Sequence, residues 1–327
     1  MPQSNGQTAP TQWDPEATEF PSRKNLPPIP GAPPEAAWFW GPNDSLGRLN
    51  LLTTKRIKAA VRLIETGELI PLDLPLDTPA VPSFGREPFQ HSIKEVQAGI
   101  VYDDLYTLNT QSGSQWDGFG HFAHLASKTF YNGATSADIL ASSSSKCSIH
   151  HWATHGIAGR GILLDYHRYA SQTNRTYDPF RHLAITLSDL AACGRAQGID
   201  IRPGSAGGDI KIGDILFVRS GFVERYYASS PAEREQDAAR PSHESAWAGV
   251  AQEEDMLNWL HDAYFAAVVG DAPTFEAWPS CKEYHLHEYL LALWGVPIGE
   301  MWDLERLARV CVQERRWVFF VNSAPAN

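Results

Sequence analysis

The chain has 327 residues, 43% hydrophobic and 20% charged, the balance of a globular protein with a substantial core. Its formal net charge of −11, with Lys and Arg scattered rather than in runs, excludes the basic face that nucleic acid demands. No stretch approaches the roughly 18–20 consecutive apolar residues of a bilayer span, so a membrane partner is not expected either.

The first 20 residues, MPQSNGQTAPTQWDPEATEF, show neither the basic nor the apolar region of a secretory signal. Cys147, Cys193, Cys281 and Cys311 are far apart and form no C-x-x-C pair, which argues for free thiols in a reducing compartment. The expected location is cytoplasmic.

Residues 1–36 are rich in proline and poor in periodic apolar positions, and read as an arm, either disordered or draped over a partner surface. Residues 37–327 read as one catalytic domain. Thr54 to Glu68 forms an expected amphipathic helix with Ile57, Ala60, Val61 and Ile64 on one face and Gly67 as its C-cap. Four short apolar runs follow: Gly161–Tyr166, Gly213–Gly221, Phe265–Asp271 and Arg315–Ser323. Bounded by Gly, Asp or Pro, they suit strands buried on both faces. Helical patterns alternate with them in SDLAACGRAQG, EEDMLNWLHDAY and HEYLLALWG. This alternation predicts an α/β fold with a mixed β-sheet core and flanking helices. Ala228 to Gly249 is long and charged and reads as a surface excursion.

The chemistry concentrates in QSGSQWDGFGHFAH, Gln111 to His124. Gly113, Gly118 and Gly120 let the backbone bend and approach a ligand. Asp117 sits between an aromatic residue and a glycine, an unusual setting for a solvent-facing Asp. His121 and His124 share a face if helical and diverge if extended. Residue types alone leave a catalytic reading and a packing reading level. Downstream, His287 opens an apolar helix and Glu300 ends the following strand, so the two are able to converge. His150, His151 and His155 in HHWATHG read as structural, since adjacent side chains on a strand point apart.

The chain resembles the cyclase superfamily that contains bacterial kynurenine formamidase and isatin hydrolase, and more closely its fungal and actinobacterial branch. The family signature is H-x-G-T-H-x-D-x-P-x-H. On it, Gly113 falls on the Gly, Ser114 on the Thr, Asp117 on the Asp and His121 on the last His. GPNDSLGRLNLLT, GRGILLD, KIGDILFVRSG, VVGDAPTFEAWP and LHEYLLALWGVPIGEMWDL carry the resemblance across nearly the whole chain beyond residue 36.

The resemblance implies a swivelling β/β/α fold and a divalent metal held by two early His, an Asp, a late His and a late Glu. Carried over, Asp117, His287 and Glu300 are ligands and His121 is the acid/base. The two early His are replaced here by Gln111 and Gln115. A Gln carbonyl is a neutral, hard donor, so a site of Gln111, Gln115, Asp117, His287 and Glu300 favours Mn²⁺ over Zn²⁺. The other reading has no metal, with both Gln hydrogen-bonding substrate and Asp117 pairing His121.

The implied activity is metal-assisted hydrolysis of a small cyclic or aryl amide, lactam or ester. The alternative is a metal-independent cyclase or dehydratase in small-molecule biosynthesis. Substrate contacts are expected from Trp116, His124, Arg219, Ser220 and Asp271, around an aromatic substrate. The other reading of Arg219 is pairing with a carboxylate such as Asp271. Glu276 lies in a turn the family places near its site. A homodimer or homotetramer is also implied.

Overall fold

The computed structural model describes residues 12–141, 143–241 and 243–325. In chain order the strands are β1 (Gln90–Gln97), β2 (Val101–Thr107), β3 (Gln115–Asp117), β4 (Ile157–Leu164) and β5 (Leu183–Ile185). After them come β6 (Ile215–Val218), β7 (Ala248–Val250), β8 (Ala267–Gly270), β9 (Ile298–Glu300) and β10 (Val318–Ser323). Six form one sheet in the order β10-β4-β6-β8-β9-β3. The inner four run parallel, and the edge strands β10 and β3 are antiparallel to their neighbours. The sheet is therefore mixed, as the alternating pattern predicts.

The four apolar runs of the sequence become β4, β6, β8 and β10, four consecutive neighbours. β6 and β8 are buried along their whole length, because helices cover the sheet and no face needs polar residues. Helices Thr54–Val61 and Leu187–Gln197 pack on β4, and Leu187–Gln197 also meets Glu254–Asp262.

Three local expectations change. The first helix stops at Val61 rather than reaching Glu68, and Val61 and Ile64 stand exposed. The excursion after Ala228 is not all loop: Ser230 and Glu233 form a capping box that starts a helix over Pro231–Ala238. HHWATH folds as the helix His150–His155 leading into β4.

Residues 12–36 lie against their own chain. Trp13 stacks on Phe39 at 4.1 Å between ring centroids, and buried Arg23 pairs with Glu35 and Glu254. Residues 1–11 of the arm lie outside the described residues.

β1 and β2 form a separate antiparallel hairpin, every residue of which is exposed. β5 and β7 make a small parallel pair. β7 also meets Phe275–Ala277: Val250 N donates to Phe275 O at 3.0 Å, and Ala277 N to Val250 O at 2.9 Å. Gly249 is required there, since a Cβ would lie 2.4 Å from the Glu276 carbonyl carbon.

Candidate active site

Strand alternation puts Gln115 and Asp117 on one side of β3, and the β3–β9 register sets Gln115 opposite Glu300. His287 reaches the same point from the start of a π-helical turn, Glu288–Leu293, a geometry that is rare and frequent at functional sites. Gly295, at φ +64°, ends this turn, and a Cβ would strike the Tyr131 ring at 2.4 Å.

His287 Nε2 lies 3.1 Å from Glu300 Oε1 and 3.4 Å from Asp117 Oδ2. Gln111 Nε2 donates to Asp117 Oδ1 at 2.7 Å. Gln115 Nε2 donates to Gln111 Oε1 at 2.7 Å and Glu300 Oε2 at 3.0 Å. Asp117, His287, Glu300 and Gln115 are all buried. His121 stands at the edge with 27% of its side chain exposed and its Nε2 4.0 Å from Asp117 Oδ2. The structure thus gathers Gln111, Gln115, Asp117, His121, His287 and Glu300.

The electrostatics are those of crowded, buried charge. Burial raises the Asp117 carboxyl, but the charges of His121 and His287 outweigh it and hold the group below its usual range. Burial, and then the charge of Asp117, push Glu300 up to about 7. Burial opposes the charged imidazole of His287, yet Glu300, Asp117 and Glu276 raise it well above the usual value. Burial lowers His121, helped by His287 and Arg86 and opposed by Asp117.

Asp117, His287 and Glu300 form a candidate metal site, with one ligand atom from each lying within 4.8 Å of the others. Two acceptors beside them, Gln115 Oε1 and Asp117 Oδ2, are buried without a hydrogen-bond partner. Unpaired buried acceptors are costly, and two adjacent buried carboxylates are more so. A divalent cation satisfies both demands, so the residues fit one. Asp117, His287, Glu300 and Gln115 would hold it, with Gln111 placed to complete the set.

Sequence reasoning gave Glu276 only a place near the site; its role comes from the fold. Fully buried, it accepts from His287 Nδ1 at 2.6 Å, His287 N at 3.0 Å, Leu286 N at 2.9 Å and Gln252 Nε2 at 2.7 Å. A carboxylate on Nδ1 fixes the imidazole with Nε2 aimed at the ligand cluster. Arg86 was missed outright. It donates to Gln111 O at 2.9 Å, and its field reaches Glu300 and Asp117. No motif in the sequence signals either role.

Gln111, Gln115, Trp116 and His121 line a cavity of about 1230 Å³, with Trp302 and Phe319 on its wall. Trp116 meets Trp302 edge-on at 4.9 Å. The other expected substrate contacts lie elsewhere. His124 Nδ1 is 2.8 Å from Ser127 Oγ, and its Nε2 faces Glu288 at 3.9 Å. Arg219 is buried among Asp165, Glu224 and Glu305, which satisfies its charge inside the fold. Asp271 accepts from Ser220 N and Oγ, Gly221 N and Phe222 N, and so caps the helix Phe222–Ala228.

A mixed α/β fold with a buried Asp–His–Glu cluster next to Gln115 and His121, which themselves line a large cavity, is the arrangement of an enzyme with a candidate metal centre. The chain belongs to the Cyclase family, whose model matches residues 70–277. It is similar to the crystal structure of a novel cyclase, at 29% identity and a TM-score of 0.75 over 89% of this chain and 92% of that one. A looser likeness, at 12% identity and a TM-score of 0.47, is to isatin hydrolase A from Labrenzia aggregata bound to benzyl benzoate, covering 77% of this chain and 87% of that one. Among curated proteins, none matches. No helix among the described residues is long and apolar enough to cross a membrane.

Proposed function

We propose that this protein is a metal-assisted hydrolase of a small cyclic or aryl amide, lactam or ester, with His121 as acid/base. The carrying observation is the pair of unpartnered buried acceptors, Gln115 Oε1 and Asp117 Oδ2, beside His287 and Glu300 and beneath His121. A divalent ion held there supplies charge that polarises a carbonyl and acidifies water. The oxygen-rich donor set favours Mn²⁺ over Zn²⁺.

The chain's own residues do the rest. With its pKa lowered, His121 is neutral at pH 7 and free to take a proton from water. Asp117, 4.0 Å away, steadies the imidazolium that results, and His121 then hands the proton to the leaving group. Trp116, Trp302 and Phe319 offer flat apolar walls to an aromatic substrate.

A second reading, a metal-independent cyclase or dehydratase using Asp117–His121, draws support from the Gln111 amide, which already donates to Asp117. Elemental mass spectrometry on protein purified without added metal separates the two. The hydrolase reading expects about one equivalent of metal, absent from Asp117→Ala, and ¹⁸O from labelled water in the product. Metal-free wild type that stays so after incubation with Mn²⁺ and Zn²⁺ overturns it.

A further inference from the structure

The cavity beside His121 carries a charge pattern that selects among ligands. Five charged side chains line it: Glu65, Glu68, Asp73, Glu314 and Arg316. The four acids are exposed to solvent. Glu68 is paired with Arg306 at 2.8 Å. Arg316 is the one cation of the lining among the described residues, and it is already engaged. Its guanidinium lies 3.0 Å from Glu65 Oε2 and donates to Leu63 O. Arg86 does not line the cavity; it donates to Gln111 O, and its field goes to Glu300 and Asp117.

The rest of the lining carries no fixed charge. Ile70, Leu72, Leu307, Val318 and Phe319 make up much of its apolar part. Cys147 and Cys311 also face the cavity, but burial pushes both thiols up to about 12, so they stay protonated at pH 7. At about 1230 Å³, the space exceeds the roughly 300–1,000 Å³ that encloses a drug-sized ligand.

A carboxylate entering this space gives up its hydration and finds no free cation, and a buried charge without a partner is costly. The exposed acids repel it further. An ammonium fares little better, because carboxylates in open water hold a cation only weakly. An uncharged apolar group meets neither cost.

We infer that the ligand of this cavity is an uncharged molecule with an apolar portion larger than a single aromatic ring, seated against Leu72 and β10, and that the wall rejects its anionic analogues. That this ligand is the substrate, with its scissile carbonyl toward His121, rests on the hydrolase reading; the preference for an uncharged ligand does not. In that reading the oxygen of water bonds to the carbonyl carbon, the C–N or ester C–O bond breaks, and the leaving nitrogen or oxygen takes a proton. The acid so formed ionises to a carboxylate, so substrate and product differ by the charge that the wall discriminates.

N-phenyl-1-naphthylamine and 1-anilinonaphthalene-8-sulfonate share one aromatic skeleton and differ by a single sulfonate. Both brighten in apolar surroundings, so fluorescence titration of the full chain gives each affinity. The measurement reads neither turnover nor metal, and its failure is therefore distinct from failure of the hydrolase reading. The uncharged probe should bind at least 10-fold more tightly than the sulfonate. Ile70→Arg adds a guanidinium to the wall and should cut that preference by 5-fold or more. Leu69→Arg, at a lining position 81% exposed, repeats the test where the fold is not at risk. Ile93→Arg, on the exposed hairpin outside the cavity, should leave both affinities unchanged. The proposal is overturned by a sulfonate that binds wild type as tightly as the uncharged probe, or by an uncharged probe that does not bind. A preference unmoved by both Ile70→Arg and Leu69→Arg, or one that shifts with Ile93→Arg, overturns it equally.

Discussion

Glu276→Gln tests the site most sharply, because it alters charge while keeping shape. In the native arrangement one oxygen of Glu276 accepts from His287 Nδ1 and N, and the other from Leu286 N and Gln252 Nε2. A glutamine has one acceptor oxygen for these four donors. If its NH₂ faces His287, Nδ1 must become an acceptor, and the proton moves to Nε2, the atom needed for a metal. If its carbonyl faces His287, the hydrogen bond survives but the charge that makes the imidazole a better donor is gone. Outer partners of ligating His residues are worth about 10–100-fold in metal affinity, or ~1.4–2.7 kcal/mol. Mn²⁺ affinity, measured by competition with a fluorescent chelator, should fall by that factor in Glu276→Gln. Gln252→Ala, which leaves both His287 contacts in place, should lose far less. Folded Glu276→Gln protein with wild-type Mn²⁺ affinity would refute the reasoning, since His287 would then not depend on Glu276 for its orientation.

Further outcomes follow from the same geometry. Gln115→His should raise Zn²⁺ affinity relative to Mn²⁺ by about 10-fold or more, because it replaces a hard carbonyl with imidazole; competition titrations with both metals check this. Arg219→Met strands the buried Asp165 carboxylate and should cost about 3–5 kcal/mol in urea unfolding. His261 is fully buried, and burial lowers its pKa to about 3. A depressed folded-state pKa means that its contribution to stability is intact above the ordinary value near 6.5 and is lost as pH falls toward 3. The slope approaches ~1.4 kcal/mol per pH unit within that window. Urea midpoints between pH 6.5 and 4 should therefore fall more steeply for wild type than for His261→Gln, and parallel profiles would show that His261 does not drive the acid sensitivity.

The sequence by itself determined four neighbouring strands of the sheet, from the edge strand β10 inward. β6 and β8 are short apolar runs between breakers, and burial on both faces leaves no room for another pattern. β4 is buried at six of its eight positions, while β10, at the sheet's edge, is only partly buried, short of the two-faced burial expected of its run. The sequence also named, as a set, the residues that the fold gathers, because Gln111 to His121 is one local motif and its resemblance to the family brought in His287 and Glu300. It did not reveal the β1–β2 hairpin, whose mixture of charged and apolar residues has no single buried face to impose a period.

Only the tertiary structure decided which polar residues share an environment. Gln115 meets Glu300 through an antiparallel register between strands 183 positions apart at their start, Gln115 to Ile298, a pairing that no local signal encodes. Glu276 reaches His287 because β7 pins Phe275–Ala277. Arg219 looked like a ligand-facing residue at a strand end, yet Asp165, Glu224 and Glu305 close around it from other parts of the chain. Composition and periodicity report burial, which each residue carries with it; a buried charge's partner is chosen by the packing of distant elements, and that exists only in the folded chain.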